Sequence, residues 1–169
     1  MSNDSSTMSN GANTGAATSS ANKPPLGKAD STFVMKAAMG GMMEVEAGKI
    51  AQQNAQSDRV KAFGSMMVND HTNANNELMA LAQGRGLTVP TTLPADMQKH
   101  LDAMRDMKGK AFDSHYMGMM LNDHKKDVGE FEKESTSGQD DELKSWAGKT
   151  LPTLKTHLDS AQALNKARM

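Results

Sequence analysis

The stretch VKAFGSMMVNDHTNANNELMALA (Val60–Ala82) places Val60, Phe63, Met67, His71, Ala74, Leu78 and Leu81 three or four positions apart. That spacing puts all seven on one face of an α-helix. The face is apolar except at its centre, where His71 stands. Burying a polar group without a hydrogen-bond partner costs roughly 2–7 kcal/mol. His71 therefore needs company from another part of the chain.

Outward from this segment the chain reads as further amphipathic helices. The first long helix spans Ser31 to about Ala55, with Phe33, Ala37, Gly41, Glu44, Gly48 and Ala51 along one stripe. Ser57 suits the cap of the second, which ends at GRG (Gly84–Gly86), where glycine takes a left-handed terminal geometry. The connection LTVPTTLP (Leu87–Pro94) is long and holds two prolines. A short helix over Ala95–Met107 follows it, broken near Gly109. The third long helix covers Lys110 to Glu134 and is interrupted by STSGQ (Ser135–Gln139), after which Asp140 caps the fourth. That last helix carries Leu143, Ala147, Thr150, Leu154, His157, Ala161 and Leu164 on one face, with Pro152 inside it as a kink site. Four helices of about 25 residues, each ~35–38 Å long, predict an all-α four-helix bundle with a short extra helix between the second and third long ones. Short turns make each outer pair an antiparallel hairpin. GMMEVE (Gly41–Glu46) resembles GMMLND (Gly118–Asp123), and SDRVKAF (Ser57–Phe63) resembles DDELKSW (Asp140–Trp146). These matches suggest two related hairpins, with Glu46 opposite Asp123.

Composition removes several function classes. A net charge of -1 and a pI near 6.5 give no basic field for nucleic acid or an anionic membrane. No apolar run reaches the ~18 residues that a transmembrane helix needs. The absence of cysteine excludes disulfides, thiolate metal sites and cysteine nucleophiles. Aromatics are scarce at 4% while methionine reaches 16 residues, so thioether side chains fill core gaps that Phe or Leu would otherwise fill. Thioethers also bind copper(I), but only where sulfurs converge. There is no Gly-rich phosphate loop and no nucleophile elbow, so no motif identifies a reaction.

Residues 1–29 are mostly Ser, Asn, Gly, Thr and Ala, which cannot bury enough surface to offset ordering entropy. They read as a disordered tether ahead of one domain over residues 30–169. The tether has no charged start or apolar run of a secretory signal. A polar spacer of this kind follows the lipid anchor of many bacterial envelope lipoproteins, implying a removed signal with Met1 added for expression. The expected location is the periplasm or cell envelope, an ordinary cytoplasmic tail being the alternative.

MMVNDH (Met66–His71) and MMLNDH (Met119–His124) share five of six residues. With them, every long helix carries an ionisable residue near the middle of its apolar stripe: Glu44 or Glu46, His71, His124 and His157. Bundle cores assemble metal sites from facing helices in this way. Imidazole with carboxylate suits a divalent transition metal such as zinc, copper, iron or manganese. By helical rise, Glu44 and His71 differ in depth by roughly 4–5 Å, and His124 and His157 by roughly 7–8 Å. The second offset places His157 at the edge of the site or in an adjacent layer. Adjacent helical residues point ~100° apart, so Asp and His of one NDH motif cannot both face inward. His71 and His124 are the favoured ligands; Asp70 and Asp123 are either alternative ligands or acceptors for histidine N–H groups. In the third long helix the reverse assignment, with Asp123 inward, stays open. His100 and His115 read as surface or boundary residues. Two further readings stand beside the metal site. One is a bundle without metal, whose polar layer serves packing specificity or partner binding. The other is a metalloenzyme, which would require an open coordination position.

FVMKAAMGGMMEVEAGKIAQQNA, VKAFGSMMVNDHTNANNELMALA, FDSHYMGMMLNDHKK and LPTLKTH, in that order, resemble a bacterial family of unknown function labelled "predicted outer membrane protein" and grouped with ferritin-like bundles. The resemblance covers about Ser31 to Leu164. It implies an exported or envelope-associated ferritin-like four-helix bundle. The family's motif positions are occupied here by Glu44, Glu46, Asp70, His71, Asp113, Asp123, His124 and His157. Ferritin-like di-iron proteins present Glu-x-x-His elements on their core helices. This sequence has none, which favours a histidine-rich single-ion site over a carboxylate-bridged iron pair.

Overall fold

The computed structural model describes residues 23–167. Among them are five helices: α1 (Lys28–Asn54), α2 (Asp58–Gly84), α3 (Ala95–Arg105), α4 (Gly109–Ser137) and α5 (Asp141–Lys166). The expected all-α architecture, with a short helix between the second and third long ones, is what the chain adopts. Most of the expected tether, residues 1–22, lies outside the described residues. Residues 23–27 precede α1 without regular structure; Pro24 O accepts a hydrogen bond from Arg85 Nη1 at 3.1 Å, and Leu26 packs on the core.

Helices α1 and α2 pair closely, as do α4 and α5; α1 also packs on α4, and α2 on α5. The four long helices therefore follow one another round the bundle as α1, α2, α5, α4, with α3 lying against α1. The α1–α2 crossing depends on two glycines. A Cβ added to Gly64 would stand 2.8 Å from both Gly48 O and the Ala51 Cβ, and one added to Gly48 would stand 2.7 Å from Gly64 O. Only hydrogen at both positions lets the backbones approach this closely.

The hairpin turns are fastened by carboxylates from the opposite hairpin. Asp113, on α4, accepts hydrogen bonds from Gln56 N and Ser57 N, each at 3.0 Å. Ser57 is the N-cap of α2 as expected, but its own side chain makes no capping bond. Asp30, on α1, accepts from Gln139 N at 3.4 Å and Asp140 N at 2.8 Å. Asp140 in turn caps α5, accepting from Leu143 N at 2.9 Å. The two fastenings are the same contact repeated 83 positions later, Asp30 becoming Asp113, and Gln56 and Ser57 becoming Gln139 and Asp140. This register agrees with SDRVKAF facing DDELKSW. It replaces the one drawn from GMMEVE and GMMLND: Glu44, not Glu46, has an acidic counterpart, and that counterpart is Asp127.

One expected boundary moves. Helix α4 continues to Ser137 through the STSGQ segment, because Ser135 Oγ and Thr136 Oγ1 both donate back to Glu132 O at 2.9 Å instead of opening the turn early. The core divides into two apolar halves. One, near the α1–α2 turn, gathers Phe63, Met67, Met104, Phe112, Tyr116, Met117 and Met120. The other gathers Phe33, Leu78, Phe131, Trp146 and Leu154. Methionines fill the first half, as the scarcity of aromatics suggested. Between the halves lies a layer of buried polar side chains.

Candidate metal centre

Each long helix contributes one residue to that layer: Glu44 from α1, His71 from α2, His124 from α4 and His157 from α5, all buried. One ring nitrogen from each histidine lies within 4.8 Å of the others. The apparent depth mismatch of His157 shrinks from five residues to three when positions are counted from the observed helix ends. Glu44 and His71 then differ by three residues, and so do His124 and His157, an offset of roughly 4–5 Å that side-chain reach and helix tilt absorb. His157 shares the layer with His124 instead of occupying the next one.

Hydrogen bonds decide which nitrogens are free. His124 Nδ1 lies 2.8 Å from Met120 O, a carbonyl that can only accept, so Nδ1 carries the proton and Nε2 presents a lone pair. His157 Nε2 donates to Asp70 Oδ2 at 2.7 Å, which leaves Nδ1 with a lone pair. These two lone pairs face each other at 3.3 Å. Two nitrogens bound at ~2.0–2.1 Å to one tetrahedral ion stand roughly 3.3 Å apart. Glu44 Oε2 meets His71 Nε2 directly, yet the pair is not aligned as a hydrogen bond, and both atoms are buried without a sound partner. Glu44 Oε1 lies 3.8 Å from His124 Nδ1. Convergent lone pairs and an orphaned carboxylate–imidazole pair form a donor set for a cation.

Burial also sets the charge states. Desolvation lowers His71 to about 4 and also lowers His124 and His157, so all three rings are neutral near pH 7, the form that binds metals. Desolvation raises Glu44 to about 7, opposed by His124. It raises Asp127 to about 8, with Glu44 adding to the shift. Asp127 hydrogen-bonds Glu44, so the two carboxyls hold a proton between them near neutrality. A cleft of 360 Å³ between α1 and α4 reaches this couple and is rimmed by Asp123, Met39 and Met97.

The remaining candidates are elsewhere. Glu46 turns outward to Lys49 Nζ at 2.7 Å, because two positions along a helix is over half a turn from Glu44. Asp113 is buried at the α1–α2 turn as a backbone acceptor, away from the histidines. Asp123 is partly exposed, with its carboxyl raised by desolvation, while His124 takes the inward position. Asp70 orients His157 from a different hairpin. Asp127 was missed by sequence reasoning; the available signal was its place one turn beyond His124, on the side facing α1.

A family model described as "Domain of unknown function (DUF4142)" matches residues 15–164. The chain belongs to the DUF4142 family. Among curated proteins none matches it in sequence. Several solved structures share the fold of this DUF4142 chain. A DUF305 fragment from Deinococcus radiodurans superposes with a TM-score of 0.73 at 9% identity, over 85% of this chain and 99% of its own. A DUF305 protein from Streptomyces coelicolor, named as inferred to be secreted, gives 0.70 at 14%, over 83% and 92%. CopM in its Cu(I)-bound form gives 0.68 at 13%, over 82% and 96%, and CopM is also described bound to Cu(II). At these identities the likeness concerns the fold alone. Among the described residues no helix is long and apolar enough to cross a membrane.

Proposed function

We propose that this DUF4142 protein is a metal-handling protein of the bacterial envelope, holding one copper or zinc ion at the centre of its bundle. His124 Nε2, His157 Nδ1 and His71 Nε2 supply three ligands and Glu44 the fourth. The observation that carries this reading is the meeting of the His124 and His157 lone pairs, each ring having its N–H engaged elsewhere. Imidazoles with one carboxylate suit Cu(II) and Zn(II), and the absence of Glu-x-x-His elements argues against a ferritin-type iron pair. CopM, a protein of similar fold, is described with copper in both oxidation states. Support for the envelope is the polar N-terminal segment together with the fold shared with a protein named as inferred to be secreted.

The test is metal titration of the wild type and of His124→Gln, with circular dichroism to confirm folding. The variant is expected to lose the tightest-bound equivalent. Unchanged affinity and stoichiometry in a folded variant exclude the site. Cell fractionation of the native protein checks the location; recovery in the cytosol overturns that part.

A further inference from the structure

His100 and His115 were expected at the surface and play no part in the buried layer. The structure nevertheless brings their Nε2 atoms to 3.0 Å, with ring centroids 5.2 Å apart and planes inclined at 48°. His100 belongs to α3 and is exposed; His115 belongs to α4 and is partly exposed. The helices that carry the two rings are each anchored in the core. Leu101 and Met104 bury the inner face of α3, which leaves His100 on the outside. Phe112 and Tyr116, stacked at 5.5 Å in the core, fix the turn of α4 that carries His115. Helix docking therefore places the two positions side by side.

We propose that His100 and His115 form a second, solvent-exposed metal site that bridges α3 and α4 and takes a Cu(II) or Zn(II) ion independently of the buried layer. Two neutral rings at this spacing share a single N–H, one nitrogen donating and the other accepting. A cation gains both Nε2 lone pairs once the donating ring moves its proton from Nε2 to Nδ1, so both rings stay neutral and no proton is released. Nitrogens chelating one ion at ~2.0–2.1 Å stand about 3 Å apart at a slightly closed angle. Water completes the shell at an exposed site, so this ion exchanges freely.

Zn(II) and Cu(II) are titrated into the full chain near neutral pH, with equivalents counted by native mass spectrometry and calorimetry. His100→Ala and His115→Ala are each expected to bind one equivalent fewer than the wild type while keeping its helicity. The ion is expected to slow amide exchange in α3 of the wild type and not of either variant. Equal stoichiometry in wild type and His100→Ala overturns the proposal and leaves only a hydrogen bond between the rings. The buried layer is scored separately through His124→Gln. If that layer binds nothing, the wild type still takes one ion here and His100→Ala none.

Discussion

The carboxylate of Asp70, on α2, lies 2.7 Å from His157 Nε2, on α5, so one hairpin orients a histidine of the other. The residue after Asp70 is His71, whose ring enters the same layer. Within the first NDH motif, acid and imidazole thus divide the work of one site. Replacing Asp70 with Ala frees the His157 ring to change tautomer and turn its lone pair away. Metal affinity is expected to fall roughly 10–100-fold, the usual consequence of losing such an orienting partner. Thermal stability should also fall, by about 1–3 kcal/mol, because the buried His157 N–H loses its acceptor. Competition with a chromophoric chelator measures the affinity.

The ion-free protein is expected to lose stability as pH rises from about 7 to 8. Burial holds Glu44 at about 7 and Asp127 at about 8, against 4.5 and 3.8 for the free side chains. An acid raised on folding stabilises the native state below its unfolded pKa, and that stabilisation is lost as pH climbs through the folded value. In this window the histidines, lowered by burial, are neutral in the folded chain and mostly neutral in the unfolded one. Their contribution is small there, and the carboxyls set the slope. Denaturant midpoints across this range, with chelator present, report the trend. Bound metal should flatten or reverse it, because the cation competes with the shared proton.

Gly64→Ala should destabilise the protein by about 1–3 kcal/mol, as overpacking does where backbone must yield. The added methyl meets Gly48 O and the Ala51 Cβ, one turn or more from Glu44, so widening α1 from α2 should also weaken metal binding. Gly118→Ala meets nothing within 4 Å on α4 and should stabilise by roughly 0.5–1 kcal/mol. Chemical denaturation of the two variants separates these outcomes.

Asp113→Ala should cost roughly 2–3 kcal/mol by stripping two backbone N–H groups of their acceptor. Asp30→Ala should behave similarly at the other turn. Neither is expected to change metal affinity in the protein that remains folded. A loss of affinity in Asp113→Ala would mean that this residue reaches the metal layer after all.

The four long helices and the short α3 were legible in the sequence because apolar residues recur every three or four positions and turn residues separate the runs. Glu44, His71, His124 and His157 were legible as polar interruptions of those stripes. Depth was harder: counting from a guessed turn centre displaced His157, whereas the observed helix ends bring it within side-chain reach of His124. The choice between Glu44 and Glu46 needed the rotation of α1 about its axis, which is set by contacts such as Gly48 on Gly64. Two relationships were invisible because they join distant parts of the chain: Asp113 fastening the α1–α2 turn, and His100 meeting His115 across two helices.

The repeat of the turn fastenings also bears on how the central layer is divided between the two hairpins. Under the same shift Glu44 falls on Asp127, and these two carboxyls touch, as equivalent residues do when they straddle a twofold axis. His71, His124 and His157 fall on Leu154, Gly41 and Ala74, none of which carries a donor side chain. The acidic couple therefore obeys the repeat, and the three imidazoles do not. The nitrogen donors stand only where the two hairpins differ, so neither hairpin by itself holds all three.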